Sequence, residues 1–200
     1  MPKQLLIVFV KNFQLGKVKT RLAKVIGNTQ ALNVYQTLVF ITEKETQSLN
    51  VTKHIYFSEF TSENVWQNNS LKFIQKGVDL GDKMYNAFKK GFEQGYEHII
   101  LIGSDLPDIS SHILEQGFKE LTQSDYVLGP ATDGGYYLIG MKQNSPDIFT
   151  NKPWSTNQLL KETLTEIKNQ HKSYTLLNTL NDIDTFDDLK NSTLFHIVNQ

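Results

Sequence analysis

Apolar and polar positions follow two alternating patterns along the chain. Segments with an apolar residue at every third or fourth position predict helices after Gly16 and over 29–49, 80–94, 110–121 and 155–169. Short apolar runs between them predict strands at 5–10, 51–57, 71–75, 98–102, 125–128, 136–141 and 173–177. Strands separated by helices indicate βαβ units and a mostly parallel sheet that is covered on both faces. Because we find no repeat, low-complexity tract or linker, we expect one α/β domain over residues 1–200.

The run at 98–102 is the clearest buried strand, because branched apolar residues follow one another without a break. Gly103 and Pro107 bracket a turn, which places Asp105 just beyond the strand's carboxyl end. Ligands of open α/β sheets bind at that edge, and a carboxylate there is suited to holding a divalent cation against a phosphate group. The alternative is that Asp105 caps the helix that begins near Ser110.

A basic cluster lies where the first strand gives way to a helix. It comprises Lys11, Lys17, Lys19, Arg21 and Lys24. Positive charge at a helix N-terminus opposes the macrodipole, and an anion bound by backbone N–H groups and these side chains would account for it. The alternative is a solvated basic helix face. Neither a Walker A loop nor a Gly-x-Gly-x-x-Gly fingerprint follows the first strand, which disfavours ATPase and NAD-binding functions.

The turn Asp133-Gly134-Gly135 joins two predicted strands. Asp-Gly-Gly is favourable hairpin chemistry, so a purely structural turn is one interpretation. In the functional interpretation, the paired glycines clear space for a bulky ligand that Asp133 faces.

Four carboxylates cluster near the C-terminus. In an extended segment Asp182 and Asp184 lie on the same side, and capping explains this pair less well than the rest of the run. Capping is the alternative for much of this run: Asp184 or Thr185 begins a short helix, and Asp187 and Asp188 fall in its favourable first turn.

Composition narrows the classes of protein further. The 200 residues carry a net charge of −1, which argues against nucleic acid or an anionic membrane as the partner. The lack of cysteine excludes disulfides and thiolate chemistry, and no two of the five histidines are close neighbours. No segment approaches the ~20 apolar residues of a membrane span. The run at 5–10 is too short for a secretory signal, so we expect a cytoplasmic protein.

Six motifs occur together in a recognisable order. They are FVKNFQLGKVKTRL (9–22), DLGDKM (79–84), GSDLP (103–107), LGPATDGGYY (128–137), WST (154–156) and DIDT (182–185). This order resembles the small bacterial GT-A-like glycosyltransferase family, which includes arsenosugar-biosynthesis glycosyltransferases. The family is part of the nucleotide-diphospho-sugar transferase superfamily, which also holds the molybdenum-cofactor and phospholactate guanylyltransferases.

The resemblance implies a three-layer αβα sandwich with a Rossmann-like sheet and a nucleotide at its carboxyl edge. It implies that Asp105 and Asp184 hold Mg²⁺ or Mn²⁺, and that Lys19 and Arg21 bind the phosphates and act in catalysis. Asp133 is the candidate acceptor base or sugar-hydroxyl contact. Further candidate nucleotide contacts are Lys11, Gly16, Asp79, Lys83, Gly134 and Gly135. Lys83 stands where the family usually has an arginine, which loses bidentate recognition.

We therefore expect a metal-dependent transferase that moves a glycosyl group from a nucleotide-sugar to a small acceptor. A nucleotidyltransferase is the alternative, since the same metal and basic loop would serve a nucleoside triphosphate and release pyrophosphate. A non-catalytic nucleotide-binding protein is the second alternative. The sequence predicts no oligomeric state.

Overall fold

A computed structural model describes residues 2–67 and 70–198. Within these residues the strands are β1 (Gln4–Val10), β2 (Thr52–Phe57), β3 (Ser70–Ile74), β4 (His98–Ile102), β5 (Tyr126–Pro130), β6 (Tyr136–Met141) and β7 (Tyr174–Leu176). The α-helices are α1 (Thr20–Gln47), α2 (Leu80–Glu93), α3 (Ser111–Glu120), α4 (Leu159–Asn169) and α5 (Phe186–Lys190). Short 3₁₀ turns occupy Pro146–Ile148 and Phe195–Val198.

All seven strands form one sheet in the order β3-β2-β1-β4-β6-β5-β7. Strand β6 runs antiparallel to both of its neighbours, and the remaining pairs are parallel. The predicted mostly parallel sheet is therefore confirmed. Because β1 and β4 are adjacent and parallel, the loops that follow them meet at one edge of the sheet.

Helices cover both faces of the sheet, which gives the three-layer αβα sandwich that the resemblance implies. Leu6 and Val8 of β1 pack with α1 and α3 on one face. Leu5 and Ile7 point the opposite way and pack with α2 and α4. This alternation follows from the two-residue period of a strand. A smaller cluster joins α1 to the C-terminal segment, in which Ile183 and Leu189 are fully buried.

Two helix boundaries refine the predicted pattern. Gly27 has non-helical dihedral angles (φ 82°, ψ 159°) within α1, so the helix has the two parts that the sequence pattern separates. Helix α4 begins at Leu159, four residues later than predicted. Ser155 has a positive φ of 62°, which is incompatible with a right-handed helix and explains the later start.

Capping explains part of the acidic C-terminal segment. The Thr185 side chain accepts a hydrogen bond from the Asp188 backbone N–H, and Asp188 completes a capping box at the start of α5. Ser110, rather than Asp105, caps α3 by accepting from the Ile113 N–H. Among the described residues, no helix combines the length and apolarity needed to cross a membrane.

Candidate functional site

A cleft of about 300 Å³ opens where β1 and β4 end at the carboxyl edge of the sheet. We call it the edge cleft. Its charged lining residues come from the loop after β1, the loop after β4 and the segment before α5: Lys11, Lys17, Lys19, Asp105 and Asp184. The edge cleft therefore combines the three lysines at 11, 17 and 19 of the basic cluster with both of the predicted metal-binding carboxylates.

Lys19 is held inside the edge cleft by its backbone. It precedes α1 in the left-handed conformation (φ 45°, ψ 47°), which costs a non-glycine residue roughly 1–3 kcal/mol. Its side chain is only 6% exposed, and its ammonium group donates a hydrogen bond to Asp105 Oδ2 at 3.0 Å. The strained turn thus aims a buried cation at the carboxylate beyond β4.

A second ion pair joins the two ends of the chain. Arg21 Nη1 donates to Asp184 Oδ2 at 3.0 Å, and the guanidinium group lies largely in solvent. The Ile183 backbone N–H donates to the Asp105 carbonyl at 3.3 Å, which fixes the C-terminal segment beside the β4 loop. Each predicted metal-binding carboxylate therefore contacts a predicted phosphate-binding cation.

The carboxylates of the edge cleft differ in their pKa shifts. Burial raises the pKa of Asp105, but the charge and hydrogen bond of Lys19, helped by Lys11, outweigh burial and bring that pKa below its usual value. Burial raises the pKa of Asp182 to about 6, and the negative charges of Asp105 and Asp133 add to this effect. Asp105 is therefore ionised at neutral pH, whereas Asp182 titrates in the weakly acidic range.

A buried network supports the floor of the edge cleft. The Tyr35 hydroxyl accepts from the Lys11 backbone N–H at 2.7 Å and shares a hydrogen bond with Ser104 Oγ at 3.1 Å. It thereby connects the loops after β1 and β4. The Asn12 side chain accepts from the backbone N–H groups of Glu59 and Phe60, which anchors the β1 loop to the loop after β2.

Gly16 lies in an exposed turn with a φ of 76°, a conformation that favours glycine. Asp79 caps α2, since its side chain accepts from the Asp82 N–H at 2.8 Å. These positions give both residues local structural roles close to the edge cleft.

The hairpin between β5 and β6 contains the predicted Asp-Gly-Gly turn. Asp133 is exposed, and its Oδ1 accepts from the Gly135 N–H at 2.8 Å. Gly134 has a φ of 89°, and a Cβ built on it would lie 2.4–2.8 Å from backbone atoms of Asn157. The space where a Gly134 side chain would lie is therefore occupied by the backbone of Asn157 and not open to a ligand. The negative charge of Asp133 helps to raise the pKa of Asp182.

Lys83 lies in a different cavity. This cavity has a volume of about 400 Å³ and lies between α2 and strands β2 and β3. We call it the lysine cleft, because its lining includes Lys72, Lys76, Lys83 and Lys90. Lys83 is therefore grouped with three other lysines and not with the basic cluster at 11–24.

Sequence reasoning missed several residues of the edge cleft as site residues. Tyr35, Gln75 and Ser104 line it, and Asp182 responds to its charges. Tyr35 is hidden in the sequence because it falls on the apolar stripe of α1. Ser104 and Asp182 belong to the GSDLP and DIDT motifs, so motif membership was the signal that could have identified them.

Structural comparisons support the predicted fold. One match is a protein from Desulfovibrio desulfuricans G20 that is provisionally named a nucleotide-diphospho-sugar transferase. The alignment covers 100% of this chain and 95% of that protein, with a TM-score of 0.88 and 28% sequence identity. A second match is the inositol-1-phosphate CTP transferase from T. maritima. The alignment covers 100% of this chain and 96% of that protein, with a TM-score of 0.56 and 15% sequence identity.

Glucosyl-3-phosphoglycerate synthase from Mycobacterium tuberculosis, in complex with Mn²⁺, UDP and glucosyl-3-phosphoglycerate, is a third structural match. The alignment covers 90% of this chain and 71% of the synthase, with a TM-score of 0.55 and 8% sequence identity. No curated protein matches the chain significantly in sequence.

These matches confirm the resemblance to nucleotide-diphospho-sugar transferase folds that the six motifs predicted. A family model also matches residues 25–156, which include Asp105 and the Asp133 hairpin. The chain belongs to the DUF2064 family, described as an uncharacterized protein conserved in bacteria.

Proposed function

We propose that this chain is a metal-assisted glycosyltransferase that uses a nucleotide-sugar donor and a small acceptor. The observation that carries the proposal is that Lys19 and Arg21 each contact a carboxylate, Asp105 and Asp184, that lines one cleft at the carboxyl edge of the sheet. A donor diphosphate with its divalent cation carries both negative and positive charge, and the cleft likewise contains both carboxylate and ammonium groups. We also expect a single domain and a cytoplasmic location.

Asp105 and Asp184 are the residues that would hold the cation. Both offer carboxylate oxygens, the ligand type that Mg²⁺ and Mn²⁺ prefer. Among the described residues, no three His, Cys, Asp or Glu side chains form a group that could hold a metal ion. Two carboxylates nevertheless suit Mg²⁺, which is commonly bound by one or two carboxylates together with substrate phosphates. When bound, the cation would neutralise charge on the diphosphate and orient it.

The cations of the chain itself would bind the phosphates. Lys19 and Arg21 would each exchange a carboxylate partner for a phosphate oxygen, and Lys11 would add a third positive charge from the same cleft. These charges would stabilise the departing nucleoside diphosphate as the glycosyl bond breaks. Gly16 would permit the basic loop to turn over the phosphates.

Asp133 is proposed as the acceptor base or as a contact to a sugar hydroxyl. Its exposed carboxylate uses Oδ1 for the Gly135 N–H, and Oδ2 has no hydrogen-bond partner among the described residues. Asp79, Gly134 and Gly135 are proposed as further contacts to the donor, in addition to their local contacts described above, whereas Lys83 lies in the lysine cleft.

Nucleotidyl transfer is the second candidate. A CTP transferase shares the fold, and the cations of the edge cleft are sufficient in number for a triphosphate. The two reactions differ in the bond that breaks: glycosyl transfer releases a nucleoside diphosphate, whereas nucleotidyl transfer releases pyrophosphate.

Thermal unfolding with nucleotide-sugars and nucleoside triphosphates, each with and without Mn²⁺, tests the proposal. A ligand at 100 times its Kd is expected to add about 2.7 kcal/mol to the free energy of unfolding. Stabilisation by nucleotide-sugars that requires Mn²⁺ and is reduced in Arg21→Gln, but not in Lys24→Gln, supports glycosyl transfer. Stabilisation by triphosphates alone favours nucleotidyl transfer, and the absence of any response contradicts both.

A further inference from the structure

The lysine cleft concentrates positive charge in a chain whose net charge is −1. Lys83 and Lys90 lie one on each side of Ala87 on the same face of α2, because residues three, four and seven positions apart share a helix face. Lys72 and Lys76 reach the cleft from β3 and from the loop that follows it. Among the residues that the structure describes, no acidic one contributes to its lining.

Most of this charge lacks a carboxylate partner. Lys72 contacts the exposed Glu63 at 2.6 Å. Within residues 2–67 and 70–198, Lys76, Lys83 and Lys90 form no ion pair. The Lys90 ammonium group instead lies 3.7 Å from the centroid of the Phe73 ring, which fixes it at the cleft wall. Three cations thus face one cavity without compensating charge.

Tyr56 supplies an independent indication of a ligand. Its side chain lines the cleft, the residue is only 5% exposed, and its hydroxyl group has no hydrogen-bond partner among the described residues. A buried hydroxyl without a partner is costly to the fold. The Tyr56 ring stacks on Phe73, which also lines the cleft, at a centroid distance of 5.0 Å.

We propose that the lysine cleft is a second binding site, which takes a phosphorylated small molecule. A phosphate monoester carries close to two negative charges and three acceptor oxygens, which match the free ammonium groups and the Tyr56 hydroxyl better than a carboxylate does. The volume of about 400 Å³ suits a small organic molecule. Phe73, Ile74 and Ala87 offer an apolar wall for the part that is not phosphorylated.

This second site is separate from the edge cleft but adjacent to it. Gln75 lines the edge cleft, and its side-chain amide donates to the carbonyl of Tyr56, which lines the lysine cleft. The rings of Phe9 and Tyr56, one from each cleft, lie 5.7 Å apart. The proposal goes beyond the proposed transfer reaction and holds whether or not a nucleotide binds in the edge cleft.

Titration of ¹⁵N-labelled protein with phenyl phosphate tests the proposal, with phenol and inorganic phosphate as companion probes. We expect amide shifts over 72–76 and 83–90, tighter binding of phenyl phosphate than of inorganic phosphate, and no binding of phenol. In Lys76→Gln/Lys83→Gln, the affinity for phenyl phosphate is expected to fall about tenfold or more, as loss of a charge-assisted hydrogen bond requires. Neither lysine makes an ion pair among the described residues, so this variant is expected to fold normally.

The matched control is Lys44→Gln/Lys89→Gln, which makes the same change in net charge at two exposed helical lysines and is expected to bind phenyl phosphate normally. Arg21→Gln is also expected to leave these shifts intact. Tyr56→Phe is expected to weaken binding severalfold without loss of stability, because it removes only the hydroxyl group. The proposal is overturned if shifts occur only at 11–21, if both double variants bind alike, or if phenol binds as well as phenyl phosphate.

Discussion

The edge cleft and the lysine cleft have similar volumes but compensate their charges differently. Lys19 and Arg21 each contact, at 3.0 Å, a carboxylate that lines the edge cleft. In the lysine cleft, three of the four lysines have no carboxylate partner among the described residues. Two neighbouring basic clefts of one chain are therefore electrostatically distinct.

The difference indicates what each cleft can bind. An anion that enters the edge cleft alone must displace carboxylates from the cations, whereas a metal–phosphate complex replaces both partners at once. An anion that enters the lysine cleft meets free ammonium groups and needs no metal. We therefore expect metal-dependent binding in the edge cleft and metal-independent binding in the lysine cleft.

Asp105→Asn is expected to have the largest effect on this comparison. It removes a proposed metal ligand, so the Mn²⁺-dependent stabilisation by a nucleotide-sugar, about 2.7 kcal/mol at 100 times the Kd, is expected to vanish. Binding of phenyl phosphate to the lysine cleft is expected to persist. Thermal unfolding with and without Mn²⁺ measures the first effect, and the labelled-protein titration measures the second.

The unliganded Asp105→Asn protein is expected to fold but to lose about 1–3 kcal/mol of stability, because Lys19 is buried without its partner. Each variant is therefore compared with its own unliganded baseline. Asp108→Asn, three residues away and exposed, is the matched control and is expected to behave like the wild type. Unchanged Mn²⁺ dependence in Asp105→Asn would remove Asp105 from the metal site.

Lys19→Gln is expected to change the two ligands of the edge cleft in opposite directions. Without the ammonium group, Asp105 is more attractive to Mn²⁺, and affinity for the metal alone is expected to rise about tenfold. Affinity for UDP without metal is expected to fall by about the same factor, since a phosphate contact is lost. Calorimetric titration with each ligand separately measures both changes.

Lys17→Gln is the control for this pair of titrations. Lys17 lines the same cleft, but its ammonium group lies in solvent, and its only ion pair among the described residues is with Glu59, at 3.5 Å. We expect smaller changes in both affinities. If Lys19→Gln lowers the affinity for Mn²⁺ and UDP together, the ammonium group does not compete with the metal, and the comparison between the two clefts fails on that point.

The hydrophobic pattern predicted the strands closely, because strands buried on both faces are continuous apolar runs. Strand β6 was predicted over its observed range, and the Asp-Gly-Gly turn indicated the hairpin that makes it antiparallel to β5. The start of α4 was predicted too early, because the left-handed backbone of Ser155 has no signature in the apolar pattern.

The candidate site was predictable where it follows strands and less so elsewhere. Lys11 follows β1 directly and Asp105 lies three residues beyond the end of β4, so the sheet edge places them together. The position of Lys83 depends on which face of α2 packs on the sheet, and Met84 and Phe88 decide that through tertiary contacts. The contact of Gly134 with Asn157 joins residues far apart in sequence, which no local pattern reveals.

Asp182→Asn tests whether burial and the neighbouring carboxylates leave the negative charge of Asp182 uncompensated beside the edge cleft. The pKa of Asp182 is raised to about 6 in the folded protein, whereas an unfolded aspartate has a pKa of about 3.9. Between these values the folded state binds more protons than the unfolded state. Asp182 therefore makes stability fall as the pH rises from about 4 to about 6.

Replacing Asp182 with asparagine removes the negative charge, and with it the loss of stability between pH 4 and pH 6. Asp182→Asn is expected to match the wild type at pH 4 and to exceed it by about 1–2 kcal/mol at pH 7.5, a value reduced from the full shift because solvent screens the partly exposed group. Urea denaturation at the two pH values measures the difference, with Asp108→Asn as the control. Parallel stability profiles for wild type and Asp182→Asn would mean that neither burial nor the charges of Asp105 and Asp133 raise the pKa of Asp182. The edge cleft would then be as well compensated on its acidic side as it is at Lys19 and Arg21.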